Sequence, residues 1–154
     1  MANWRAVTEA DISTRLSGKE LIAYRNAALG PGEVDPIASL ITTVTNKVRG
    51  YIAGNPDNAL GPVGTLPESL IDTTLALLVI RVMSRCYGEI LDPSGQRKTD
   101  GESAEAVLKL IAAGDGPAIE APDTGAIENP KAAMPFEYSW DHEETFRRDQ
   151  QEGT

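Results

Sequence analysis

The stretch from Leu70 to Tyr87 is apolar on nearly every side of a helix, interrupted mainly by Asp72, Thr73, Thr74, Arg81, Ser84 and Arg85. A helix of that kind has no side to give to water and belongs in the middle of a bundle. The remainder of the chain must therefore supply helices to surround it. Thr65-Leu66-Pro67-Glu68 reads as its cap, which places this central helix near residues 67 to 87.

The surrounding helices announce themselves through their ends. Thr8-Glu9-Ala10-Asp11 has the form of a capping box ahead of Ile12 and Leu16, and Ser17-Gly18-Lys19-Glu20 repeats it ahead of Leu21, Ile22 and Leu29. Gly30-Pro31-Gly32 stops the second of these short helices. Asp35-Pro36 is a cap followed by a first-turn proline, and Ile37, Leu40, Ile41, Val44, Val48 and Ile52 then recur at steps of three or four until Gly54-Asn55-Pro56. Pro56, Gly61, Pro62 and Gly64 make the next stretch a loop. Past the central helix, Asp92-Pro93-Ser94-Gly95 opens a polar connector, and Asp100 to Ser103 offers caps for a last helix with Ala104, Val107, Leu108, Leu110 and Ile111, closed by Gly114. The expected fold is all-α: a small bundle of about five helices.

From Asp115 onward prolines return at 117, 122, 130 and 135 and helical periodicity is lost. The chain thus divides into a helical body, residues 1–114, and an extended, mostly non-helical C-terminal arm, residues 115–154. Charge divides in nearly the same place. Residues 1–98 hold ten Lys and Arg against ten Asp and Glu, whereas residues 99–154 hold four against thirteen, so the whole net charge of -9 lies C-terminally. A balanced body with an acidic tail does not suit direct gripping of nucleic acid, which needs concentrated Lys and Arg; a charged tail that merely solubilises is the plainer meaning of such a run.

Few chemistries find support. The apolar run Leu75–Ile80, continued by Val82 and Met83, falls far short of the roughly 20 residues of a membrane span, so no membrane association is expected. The first residues lack the basic, apolar and small-residue sequence of a secretory leader. Cys86, the single cysteine, sits in the apolar helix as a small hydrophobe and suits a reducing cytoplasm. His142 stands among Asp141, Glu143 and Glu144 with no second histidine or cysteine to complete a zinc set, and Arg97 and Lys98 interrupt the oxygen-rich stretch 92–102 that a calcium loop would need. Gly61 and Gly64 lack the Lys-Ser or Lys-Thr of a phosphate-binding loop. Neither metal nor cofactor is expected, and no general-base constellation supports an enzyme.

Binding residues are better supported. Phe136, Tyr138 and Trp140 alternate, which would put three rings on one side of an extended chain, and Phe146 follows. Burying such a ring contributes about 1.5–3 kcal/mol, and aromatics are favoured interface anchors. Docking on another subunit is preferred over folding back on the chain's own bundle. Arg81 and Arg85, four apart on one helix face, can reach together to an acidic partner, although an ordinary solvated edge is the preferred reading of them.

In order, Val7-Thr8-Glu9-Ala10-Asp11, the helix end Val48-Arg49-Gly50-Tyr51-Ile52, the loop Leu60-Gly61-Pro62 and Thr65-Leu66-Pro67-Glu68-Ser69-Leu70 resemble the small head-tail joining proteins of Mu-like tailed bacteriophages, and more broadly the helical head-tail connector adaptors. The resemblance covers about residues 7–113 and leaves out the arm. It implies a non-enzymatic virion subunit of the phage neck, made in the host cytoplasm and assembled as a homo-oligomeric, dodecameric ring beneath the portal protein. Such a ring extends the DNA channel, touches DNA only as it passes through the lumen, and presents a surface to the next neck or tail protein. Acidic residues toward the lumen would repel DNA and keep it mobile. The competing reading is a soluble helical regulatory or inhibitor module that binds one partner through its acidic arm.

Overall fold

The computed structural model describes residues 3–28, 35–86, 95–123 and 125. Helices surround one central helix, and a two-stranded sheet closes one end. In chain order the elements are strand β1 (Trp4–Ala6), helices α1 (Glu9–Ile12), α2 (Gly18–Ala28) and α3 (Pro36–Gly54), strand β2 (Thr65–Pro67), a 3-10 turn (Glu68–Leu70), and helices α4 (Ile71–Arg85) and α5 (Gln96–Ala113).

Local chemistry sets most of these boundaries. The Thr8 amide donates to the Asp11 carboxylate at 2.8 Å while the Asp11 amide donates to the Thr8 hydroxyl, a reciprocal box that starts α1. Ser17 and Glu20 repeat it at α2, with the Ser17 amide 2.7 Å from Glu20 Oε2. At α3, Asp35 accepts from the Ile37 amide at 3.0 Å and Pro36 takes the first turn, where a missing N–H costs nothing. Gly114, at φ 85, ends α5 in the left-handed conformation that glycine adopts without a Cβ clash.

α4 is the central helix. It packs against α1, α2, α3 and α5, and Leu75, Leu77, Leu78, Val79, Val82 and Met83 are buried right around its girth. Thr74, fully buried on the same helix, satisfies its hydroxyl by donating to the Leu70 carbonyl at 2.8 Å. α3 turns Ile37, Val44, Val48 and Ile52 inward, with Leu40 and Ile41 half-buried beside them. α5 contributes Ala104, Leu108 and Ile111, whereas Leu110 of the same helix is exposed. α4 and α5 approach closely at Gly101, where an added Cβ would lie 2.2 Å from Ile80 Cγ1.

Two boundaries differ from the sequence reading. Thr65-Leu66-Pro67 does not cap α4; it forms β2 and pairs antiparallel with β1, Arg5 opposite Leu66 and Trp4 opposite Pro67. The Glu68 amide extends the ladder by donating to the Asn3 carbonyl at 2.9 Å. Trp4 and Leu66 are buried by this pairing, which outweighs the helix-starting tendency of Thr-x-x-Glu. α5 begins four residues before Asp100, because Gln96 and Asp100 bond across one turn at 2.7 Å and carry the helix back to Gly95.

Beyond Gly114 the chain leaves the helix and returns along β1. Ile119 packs on the core. The Trp4 indole N–H donates to the Glu120 carbonyl at 2.8 Å, the Asn3 amide donates to the Ala121 carbonyl at 2.6 Å, and the Asp123 amide donates back to Asn3 Oδ1 at 3.0 Å. Residues 120–123 of the expected arm therefore lie against the chain's own N-terminal strand.

Candidate docking surfaces

Arg49 on α3 organises the end of the bundle that carries the sheet. Its guanidinium donates to three backbone carbonyls, Thr65 at 2.6 Å, Gly61 at 2.9 Å and Pro62 at 3.0 Å, and its planar fork lies over the Trp4 ring with 6.0 Å to the centroid. Partial burial pulls its pKa below the ordinary arginine value. The loop 61–64 is thereby fixed from below, and Thr65 locks its turn by donating amide and hydroxyl to the Pro62 carbonyl. At the tip Val63 is 83 % exposed. Gly61 allows the close approach of Trp4, since an added Cβ would lie 2.4 Å from its Cε3. Gly125 lies against the same loop, its position for a Cβ 3.1 Å from Pro62 Cγ.

Ion pairs tie the short helices to the body. Arg5 reaches Asp11 at 2.9 Å and Glu68 at 2.6 Å, and the bond from Arg5, helped by those from Thr8, lowers the Asp11 carboxyl from 3.8 to about 2. Arg25 spans Glu9 and Asp35, joining α1, α2 and the start of α3; Asp35 is lowered by Arg25 and by the Ile37 amide. Arg97 on α5 holds Glu20 at the start of α2 at 2.6 Å and lowers its pKa. Lys47 pairs with Glu105 at 3.4 Å and lowers that carboxyl.

A groove runs where the turn after α1 meets α4 and α5. It consists of two adjoining depressions of about 220 and 340 Å³ that share Arg15, Ala76 and Asp100. Its apolar lining comes from Ala76 and Val79 on α4 and from Ala104 and Val107 on α5. The smaller depression carries Arg15 and Arg97 with Asp100, the larger one Arg15 with Asp72 and Asp100, so the groove is basic at one end and acidic at the other. Arg15 and Asp72 are ion-paired across the rim.

Of the residues singled out from the sequence, Arg81 is exposed on α4. Arg85 ends the same helix, and its side chain lies outside the described residues, as do Phe136, Tyr138, Trp140, Phe146 and His142. Cys86 is buried. Among the described residues, no group of three or more His, Cys, Asp and Glu side chains is placed to hold a metal, and no helix is long and apolar enough to cross a membrane. Sequence reasoning passed over Arg49 and the groove. A charged residue directly after the buried Val48, four before a buried-face neighbour at Ala53, was the one available hint of a cation turned partly inward. Compared with protein-family models, curated proteins and solved structures, the chain finds no match.

Proposed function

We propose that the chain is a non-enzymatic structural subunit of a phage neck, a head-tail adaptor that joins sister copies in a ring, docks on the portal protein, and extends the DNA channel toward the next neck or tail protein. The observation that carries this reading is where the resembling segments meet. Arg49 comes from the Val48–Ile52 segment, its acceptors Gly61 and Pro62 from the Leu60–Pro62 segment, and its third acceptor from Thr65. Asp11, from the first segment, is bridged through Arg5 to Glu68 in the last. Four short stretches scattered over the sequence thus form one physical unit. A small bundle whose short helices are tied to its body by ion pairs suits a building block.

In such a ring the acidic C-terminal region keeps passing DNA mobile by repulsion. Affinity capture tests the role: the tagged full chain, expressed with its native gene neighbourhood, should recover the portal and adjoining neck proteins, read by mass spectrometry. Recovery of a single non-virion partner would instead establish a regulatory or inhibitor module.

A further inference from the structure

The segment that returns along β1 is a strap gripped by its backbone. The Trp4 indole N–H donates to the Glu120 carbonyl at 2.8 Å, and the Asn3 carboxamide donates to the Ala121 carbonyl at 2.6 Å while accepting from the Asp123 amide at 3.0 Å. Asn3 thereby meets the strap with the donor and the acceptor that a neighbouring strand would offer.

Proline fits this pattern. None of these contacts asks for an N–H from residue 122, where Pro122 has none, and its ring keeps both itself and Ala121 in extended backbone. Residues 117–122 accordingly form neither helix, strand nor turn. A segment restricted in this way has little freedom left to lose on docking, which is why aromatic side chains so often receive proline-containing peptides.

Side chains add little grip. None of residues 112–123 is fully buried, and Ile119 packs half-buried against the core. The central α4, by contrast, buries Leu75, Leu78, Val79, Val82 and Met83. A segment with so few buried apolar contacts opens at far lower free energy than such a helix. We propose that Asn3 and Trp4 form a receptor for a proline-containing extended peptide, with residues 119–123 as its built-in, exchangeable occupant. The strap opens while the helices stay folded, and a peptide of the same chemistry then takes its place. This site goes beyond the neck reading and does not depend on it.

The test uses a fluorescent, end-blocked peptide of residues 116–123 and the full chain with and without Ile119→Ala. A receptor filled from within binds in trans only through its open fraction. Weakening the built-in occupant should therefore tighten peptide binding, read by fluorescence polarisation, about tenfold, equivalent to ~1.4 kcal/mol, with far-UV circular dichroism unchanged. The same peptide methylated on the Asp123 nitrogen has no N–H for Asn3 and should bind about tenfold more weakly. Equal affinity for the two chains, equal affinity of the two peptides, or no binding at millimolar peptide would overturn the proposal. Hydrogen exchange on the unaltered chain tests it without any variant: the Trp4 indole and the Asp123 amide should exchange together, at least about a hundredfold faster than the α4 amides. Exchange at the α4 rate would mean that the strap leaves only when the bundle unfolds, and would overturn it as well.

Discussion

Gly61→Ala should be among the most damaging single-methyl additions in this chain. The new Cβ would stand 2.4 Å from Trp4 Cε3, 2.6 Å from Cδ2 and 3.0 Å from Cγ, against about 3.5–4.0 Å for a comfortable carbon contact. The indole must therefore recede by about 1 Å. It has nowhere easy to go, being 4 % exposed, bonded to the Glu120 carbonyl at 2.8 Å and lying against Arg49. Overpacking of this kind costs about 1–3 kcal/mol, the lost indole bond about 1 kcal/mol, and the loosened Arg49 contact about 0.5–1 kcal/mol. Restricting the unfolded chain returns about 0.4–1 kcal/mol, leaving a net loss of about 1.5–4.5 kcal/mol. Urea unfolding followed by far-UV circular dichroism reads this directly, and amide exchange at Asp123 should accelerate as the returning chain loses its hold. A second variant isolates the cause: Trp4→Phe offers a smaller ring, so Gly61→Ala should cost at least about 1 kcal/mol less in that background. A Gly61→Ala chain within about 0.5 kcal/mol of the parent, the range of neutral surface changes, would refute the reasoning.

Two further outcomes follow from the same end of the molecule. Arg49→Lys keeps the charge but lets one ammonium replace a fork bonded to three carbonyls; a loss of about 2–3 kcal/mol in urea unfolding is expected, given about 1.5–3 kcal/mol for a bond to a charged group, and a neutral result would mean the loop holds itself. The Asp11 carboxyl titrates at about 2 in the folded chain against its usual 3.8, so its contribution is complete above about pH 5 and disappears as pH falls through about 2. Asp11→Asn should then lose about 2 kcal/mol at neutral pH and almost nothing at pH 2, since one pKa unit corresponds to about 1.4 kcal/mol; parallel stability-pH curves for the two chains would contradict the assignment.

The sequence disclosed most where the governing chemistry is local. Thr8 with Asp11, Ser17 with Glu20, and Asp35 with Pro36 mark helix starts through residues at most three apart, and the structure has helices there. The central α4 was equally legible, because a helix that is apolar on every side has one possible environment. β1 and β2 escaped notice because three residues are too few to display a period of two, and their bonds join positions about sixty apart. Arg49 was missed because its acceptors are main-chain carbonyls, which leave no side-chain signature. The groove could not be foreseen at all: the turn after α1 and the helices α4 and α5 each contribute a fragment of it.

The clasp between Asn3, Trp4 and residues 120–123 also dictates an order of events during synthesis. β1 emerges first, yet its pairing partner arrives only with Thr65–Pro67 and its cover only with Glu120. Closing the longer of those loops costs only about 0.6 kcal/mol more than the shorter, since loop entropy grows by that amount per doubling. Waiting, rather than energy, is thus what the arrangement imposes. The helices α1 to α4 can gather while β1 still lacks its full cover, and a strand made ahead of these helices is the last to be sealed. A chain stalled before residue 120 would therefore leave the Trp4 indole N–H without its carbonyl acceptor, a mark by which a nascent, incomplete copy differs from a finished one.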